Sequence, residues 1–73
     1  MAPDLPTFHS FNSTRVDTAT YDARRQRIIV TFTDGVDWVY RNCSPRVWRD
    51  FTGAPSAGRY IHDVLDHHPN GAR

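Results

Sequence analysis

The chain has 73 residues, with nine basic and eight acidic side chains and a formal net charge of +1. A chain of this length forms one domain that buries roughly 60% of its unfolded surface, so we expect no large substrate cavity. The near-neutral charge argues against a generic polyanion binder, and a nucleic-acid site would need locally clustered basic residues.

Cysteine content and hydropathy bear on the compartment. The single Cys43 cannot form an internal disulfide, and no run approaches the roughly 20 apolar residues of a membrane span. The first eight residues, MAPDLPTF, lack the charged start and the apolar stretch of a secretory signal. We therefore expect a cytoplasmic protein with no membrane segment.

Residues 1–11 contain Pro3 and Pro6 among scattered polar residues, which predicts a flexible N-terminal lead-in. Phe8 and Phe11 are exceptions, because aromatic rings in a tail more often dock on a domain than remain free. We expect them to cover the outer face of the sheet described below, and a homodimer contact through that face is the alternative.

The first strand is expected over residues 14–21, TRVDTATY, which are rich in threonine and β-branched side chains. Residues 22–26 then form a polar turn, which Asp22 favours through a side-chain bond to the backbone. Because the turn is short, the first strand should lie antiparallel to the second.

The second and third strands form a hairpin over residues 27–41, RIIVTFTDGVDWVYR. A two-residue loop would place Asp37 opposite Phe32 and mix charge into the apolar face. A three-residue loop, with Gly35 in the left-handed conformation, segregates the two faces and is the register that we predict. This register pairs Phe32 with Val36, Val30 with Trp38 and Ile28 with Tyr40. It leaves on the opposite face Arg27, Ile29, Thr31, Asp37, Val39 and Arg41.

Two short helices are expected after the hairpin. The pair Ser44-Pro45 is a helix start, with the serine as the cap. Ser56 caps a second helix over residues 57–67, and residues 69–73 remain as a C-terminal tail. Neither helix is long enough to be stable alone, so both should pack on the apolar face of the hairpin.

The sequence thus predicts an α+β fold, a three-stranded antiparallel meander followed by two short helices packed on one face. The expected core consists of the inward-facing apolar positions of these elements. They are Val16, Ile28, Val30, Phe32, Trp38, Tyr40, Val47, Trp48, Phe51, Tyr60, Ile61, Val64 and Leu65.

An ordered set of short motifs runs through residues 12–68. Its members are Ser13-Thr14, Val16, Tyr21-Asp22, Phe32, Gly35, Trp38, Tyr40, Pro45, Val47-Trp48, Ser56, Gly58 and Tyr60. This set resembles the KTSC domain, a family named for the C-terminus of some lysyl-tRNA synthetases that also occurs as stand-alone bacterial and phage proteins. The resemblance implies a single domain over residues 12–68, and RNA binding by association with the tRNA-charging enzyme.

Two positions depart from the family pattern. Its central Tyr-x-Tyr appears here as Trp38-Val39-Tyr40, which keeps the first ring but loses its hydroxyl, and this favours a packing role at position 38. The aromatic-Asn pair that commonly follows the Ser-x-Gly segment appears as Ile61-His62, which lacks the amide.

Five arginines are predicted to gather at one end of the sheet, because Arg27 faces Arg41 in the chosen register. Like charges opposite one another are destabilising and invite an anionic partner, and arginine both binds phosphates in a bidentate way and stacks on bases. A solvated sheet end is the alternative. The candidate nucleic-acid-binding residues are Arg24, Arg25, Arg27, Arg41 and Arg46.

Other candidate sites have simpler explanations. Trp38, Tyr40, Trp48 and Tyr60 could stack on bases, but their positions face inward, where a small domain needs its rings.

Histidines and serines raise the possibility of a metal site or a catalytic site. His62, Asp66 and the pair His67-His68 lie at one fraying helix end, which can supply only two or three ligands. A closed zinc site needs four, so we predict no metal and no cofactor. A Ser56 that precedes a helix is far more often its cap than a nucleophile, and we predict no catalytic residues and no enzyme.

The leading hypothesis is a small non-catalytic binding module that contacts RNA through the arginine cluster. The alternative is a protein-interaction adaptor, phage-encoded or prophage-encoded, that uses the Ile29/Val39 face or binds a second copy of itself. Salt separates the two, because phosphate contacts weaken steeply with ionic strength and apolar contacts do not.

Overall fold

In a computed structural model, residues 7–73 are described and form a five-stranded antiparallel sheet with two helices. The strands follow the chain order across the sheet and are β1 (Phe8–Ser10), β2 (Val16–Asp22), β3 (Arg27–Phe32), β4 (Asp37–Tyr40) and β5 (Asn70–Ala72). The helices lie between β4 and β5 and are α1 (Pro45–Thr52) and α2 (Ala57–Asp63), with a 3-10 turn at Leu65–His67.

The α+β class is confirmed, but the expectation of three strands is wrong, since β1 and β5 add one at each edge. They come from the segments expected as lead-in and tail, and residues 1–6 of that lead-in lie outside the described residues. Each added strand has only three residues and no alternation of apolar side chains. Such a segment becomes a strand because its backbone bonds to a neighbour that is already in place, and its own propensity contributes little.

The central hairpin has the predicted register. Val30 lies opposite Trp38 and Ile28 opposite Tyr40. The Phe32 N–H donates to the Val36 carbonyl at 2.9 Å, which closes the three-residue loop. Gly35 in that loop has φ +90°, the left-handed conformation that the loop requires.

Replacing Gly35 by valine is expected to lower the free energy of unfolding by about 1–3 kcal/mol, measured by urea denaturation. A Cβ at this position meets no atom within 4 Å, so the cost comes from the backbone conformation alone. Gly35→Asn is the matched control, because asparagine tolerates positive φ and should lower the free energy of unfolding less than valine does. A valine variant as stable as the parent would contradict this account of the turn.

The β2–β3 turn is held by Asp22, as predicted. Its carboxylate accepts hydrogen bonds from the backbone N–H groups of Arg24 and Arg25 at 3.1 and 3.2 Å. β2 itself begins two residues later than expected, because the Ser13 hydroxyl accepts hydrogen bonds from the N–H groups of Arg15 and Val16 and holds residues 13–16 in a separate turn.

Helix α1 begins as expected, with the Ser44 hydroxyl accepting from the Val47 N–H. The expectation that α2 continues to His67 is wrong, because Val64 leaves the helical conformation with φ −123° and ψ −60°. The following 3-10 turn keeps Leu65 fully buried and sends the chain back to β4.

The core lies between the helices and one face of the sheet. Four of its members are absent from the expected core and are small residues or lie near a strand end: Ala19, Tyr21, Cys43 and Ala57. Some expected core residues are only partly buried, namely Phe32, Trp38, Val47, Tyr60 and Val64. Val39, assigned to the opposite face, is nevertheless only 5% exposed.

Candidate nucleic-acid interface

The sheet face opposite the helices, here called the outer face, is organised in three rows that the strand register defines. The arginine row contains Asp22, Arg27 and, one residue past the end of β4, Arg41. The central row contains Phe8, Thr20, Ile29, Val39 and Gly71. The acidic row contains Ser10, Thr18, Thr31, Asp37 and Arg73.

Four of the five candidate arginines lie at the same end of the sheet. Two occupy the β2–β3 turn, one begins β3 and one directly follows β4. The turn and the end of β4 are adjacent, since the Gln26 carbonyl accepts from the Cys43 N–H at 2.8 Å. The four are Arg24, Arg25, Arg27 and Arg41.

Arg46 is the second residue of α1 and its side chain is exposed. The helix begins two residues after Cys43, which places its first turn near the same end of the sheet. Whether the Arg46 guanidinium shares one surface with the other four stays a prediction.

Asp22 is the carboxylate within the arginine row. It pairs with Arg25 at 3.3 Å and, more distantly, with Arg27 at 4.0 Å. The backbone N–H of Arg25, followed by its side chain, lowers the pKa of the Asp22 carboxyl, so this group is ionised at neutral pH. One carboxylate among four arginines leaves a surplus of positive charge.

The Arg27 guanidinium is incompletely satisfied. Its Nε is buried and has no hydrogen-bond partner, the one such side-chain atom within residues 7–73. Its Nη2 lies 4.0 Å from the Asp22 carboxylate, a long contact, and the Arg27 side chain is 33% exposed. Buried polar atoms normally have partners, so this Nε is a cost of the fold, whereas the exposed third of the Arg27 side chain remains open to an anion.

The acidic row carries little free negative charge. Asp37 accepts a hydrogen bond from the Thr31 hydroxyl at 2.7 Å and pairs with Arg73 at 3.2 Å. These contacts, the threonine bond first, lower the pKa of the Asp37 carboxyl. The outer face therefore has a basic end at the arginine row and a nearly balanced end at the acidic row.

The two N-terminal rings have different positions. Phe11 packs on Phe51, with ring centroids 4.9 Å apart, so it docks on the helix side and the expectation that it covers the outer face is wrong. Phe8 does lie on the outer face, at the edge of the central row, and is 58% exposed. Further along the central row, beyond Thr20, Ile29 is half-buried and Val39 is nearly buried, which leaves little apolar surface in the middle of the face.

Most family-motif residues stabilise the fold. The Tyr21 hydroxyl donates to the Cys43 carbonyl at 2.8 Å, and its ring stacks on Trp48. The Trp38 indole N–H donates to Asn70 at 2.9 Å and so ties β5 to β4. Tyr60 stacks on Phe51.

Two of the remaining motif positions, Ser56 and Tyr40, have clear roles in the local structure. Ser56 caps α2 by accepting from the Arg59 N–H at 3.2 Å. Gly58 has room for a side chain, since an added Cβ would meet only the Arg15 side chain, at an ordinary contact distance of 4.0 Å. Tyr40 is 2% exposed, and burial, followed by the charge of Asp66, raises its pKa to about 12. Tyr40, Tyr21 and Trp48 lie in the core, and Trp38 and Tyr60 pack against it.

The other candidate reactive groups of the described residues are engaged in local contacts. His62 contacts Asp63 through Nδ1 at 3.1 Å, and Ser56 is engaged as a cap. In the described part of the chain, no three His, Cys, Asp or Glu residues are placed to hold a metal ion. A groove of about 550 Å³ lies between residues 9–14 and residues 52–57, and its Ser13 and Ser56 hydroxyls both accept backbone N–H bonds.

Cys43 is fully buried, and burial raises the pKa of its thiol to about 11 from its usual 9.0. A raised pKa means that the fold favours the protonated thiol, so this contribution to stability is complete below about pH 9 and is lost as the pH rises towards 11. We expect the free energy of unfolding to fall by about 2 kcal/mol over this range. Denaturation of Cys43→Ala should show a flatter alkaline dependence, and an unchanged slope would contradict the assignment.

The architecture is a small α+β domain with a five-stranded sheet, one face of which the helices leave uncovered. The KTSC domain family model matches residues 12–68, and the chain belongs to the KTSC domain family. A protein from Tsukamurella paurometabola is 30% identical over 53 residues, which are 73% of this chain and 79% of that protein.

A solved structure has the same fold. The crystal structure of a KTSC domain protein from Yersinia pestis is similar with a TM-score of 0.81 and 20% identity, over 90% of this chain and 94% of that one. No helix within residues 7–73 has the length and hydropathy to span a membrane.

Proposed function

We propose that this protein is a small non-catalytic module that binds RNA in the cytoplasm through the arginine cluster, Arg24, Arg25, Arg27, Arg41 and Arg46. The observation that carries the proposal is the grouping of Arg24, Arg25, Arg27 and Arg41 at one end of the sheet, where the carboxylate of Asp22 is shared between two of them. A phosphate offers several acceptor oxygens in the geometry that a guanidinium matches.

The electrostatics of the outer face support the same partner. Asp22 offsets only one arginine, and Asp37 at the far end is already paired with Arg73. A polyanion is therefore attracted to one end of the face without strong repulsion from the other. Association of the family with lysyl-tRNA synthetases favours RNA as that polyanion.

The competing function is a protein-interaction adaptor that uses the Ile29/Val39 face. Val39 is only 5% exposed, so it offers almost no area to a partner. The buried core of a protein–protein interface depends on apolar and aromatic contact area, and the Ile29/Val39 face exposes little of it. The arginine row, in contrast, presents a clear surplus of positive charge. We therefore rank this function second.

The proposal is tested by measuring the affinity for a labelled RNA at several salt concentrations, with fluorescence anisotropy as the signal. Binding through four or five phosphates should give a slope of about −3 for log affinity against log salt. Affinity that hardly changes with salt, or no RNA binding together with a salt-insensitive protein partner from the host lysate, would favour the adaptor instead.

A further inference from the structure

We propose that the RNA bound at the arginine row is single-stranded and that one of its bases stacks on Phe8. This inference rests on the RNA-binding function proposed above and names the form of RNA and a second contact. It begins from an exposed aromatic ring for which the fold gives no packing role.

Phe8 is held in place although its ring is exposed. The Thr7 carbonyl accepts from the Tyr21 N–H at 2.8 Å, and the Phe11 N–H donates to the Asp17 carbonyl at 2.9 Å, so β1 is bonded to β2 on both sides of Phe8. The ring nevertheless remains 58% exposed. Its neighbour across the strands is Thr20, which is too small to cover it.

The position of Phe8 relative to the arginines suits one extended ligand. Phe8 lies opposite Thr20, and the next outer-face position on β2 is Asp22, which is paired with Arg27. Two strand spacings and one two-residue step separate the Phe8 and Arg27 backbones by about 12 Å. A strand of nucleic acid can therefore contact the ring with a base and the guanidinium with a phosphate.

The stacking contact selects unpaired bases. In a duplex each base is stacked between its neighbours and offers no free face to a side chain, whereas an unpaired base can stack on an aromatic ring. A protein partner is disfavoured here because the outer-face positions nearest the ring are Ser10, Thr20 and Asp22, so little apolar area adjoins it.

The experiment compares Phe8→Ala with the parent, using a labelled single-stranded RNA and its duplex. Val36→Ala is the matched control, because Val36 is the other large apolar side chain exposed among the described residues, at 47%, and lies at the hairpin tip. We expect Phe8→Ala to weaken single-strand binding about tenfold with an unchanged salt slope, and Phe8→Trp to restore it. Val36→Ala should bind like the parent.

The outcomes separate this inference from the function on which it rests. If Phe8→Ala binds single strands as tightly as the parent, while the parent keeps its salt slope, stacking is excluded and phosphate binding stands. If the parent binds no RNA, both proposals fail. If the parent is a dimer by light scattering and Phe8→Ala is a monomer, the ring belongs to a self-contact and the stacking proposal is overturned.

Discussion

Replacing Arg27 and Arg41 together by glutamine is expected to weaken binding to single-stranded RNA about 25-fold at 0.1 M salt. The estimate follows from the loss of two phosphate contacts, each worth about 0.7 in the salt slope, so the slope itself should fall by about 1.4. Stability should stay unchanged or rise slightly, because the change removes neighbouring like charges and only a 4.0 Å contact to Asp22. Anisotropy titrations at several salt concentrations, with urea denaturation in parallel, measure both quantities.

The matched control replaces Arg59 and Arg73 by glutamine, which removes the same net charge. Both guanidinium groups are already paired, with Asp63 at 3.6 Å and Asp37 at 3.2 Å, and exposed pairs of this kind contribute little to stability. The control should bind RNA far more tightly than the Arg27/Arg41 variant, with only a small loss relative to the parent because Asp37 is no longer paired with Arg73. Unfolding of the Arg27/Arg41 variant would show that these arginines have a structural role. An equal loss of RNA affinity in the control would show that only the overall charge matters.

Replacing Trp48 by alanine is expected to lower the free energy of unfolding by about 3–5 kcal/mol. Trp48 is 1% exposed, stacks on Tyr21 with ring centroids 5.5 Å apart, and also contacts Phe51. A domain of this length has a total stability of about 4–11 kcal/mol, so a loss of this size removes between about a quarter and all of that stability. Far-ultraviolet circular dichroism during urea denaturation measures the loss.

Trp48→Phe and Val36→Ala bracket this result. Trp48→Phe keeps a ring beside Tyr21, so its free energy of unfolding should fall less than that of Trp48→Ala. Val36 is exposed, so Val36→Ala should have nearly the stability of the parent. A Trp48→Ala protein that loses less than about 1 kcal/mol would mean that the helices contribute little to the core.

The arginine cluster shows how far a candidate site can be predicted from sequence. Its grouping depends on the hairpin register and on a short turn, and both are determined by nearby residues such as Gly35 and Asp22. The unpartnered Arg27 Nε could not be predicted, because it depends on the side chains that surround it in the folded sheet. The exposure of Phe8 and the burial of Phe11 likewise depend on which face each ring meets, and an aromatic residue in an irregular segment gives no such signal.

The sequence by itself determined the features that short-range chemistry controls. Alternation of apolar and polar side chains determined the register of β3 and β4, and serine caps at Ser44 and Ser56 determined where both helices begin. Only the tertiary structure decided that β1 and β5 extend the sheet, that α2 ends at Asp63, and that Cys43 lies in the core. These features arise from contacts between residues far apart in the chain, where the free energy comes from backbone bonds to an existing strand edge and from burial against an existing core.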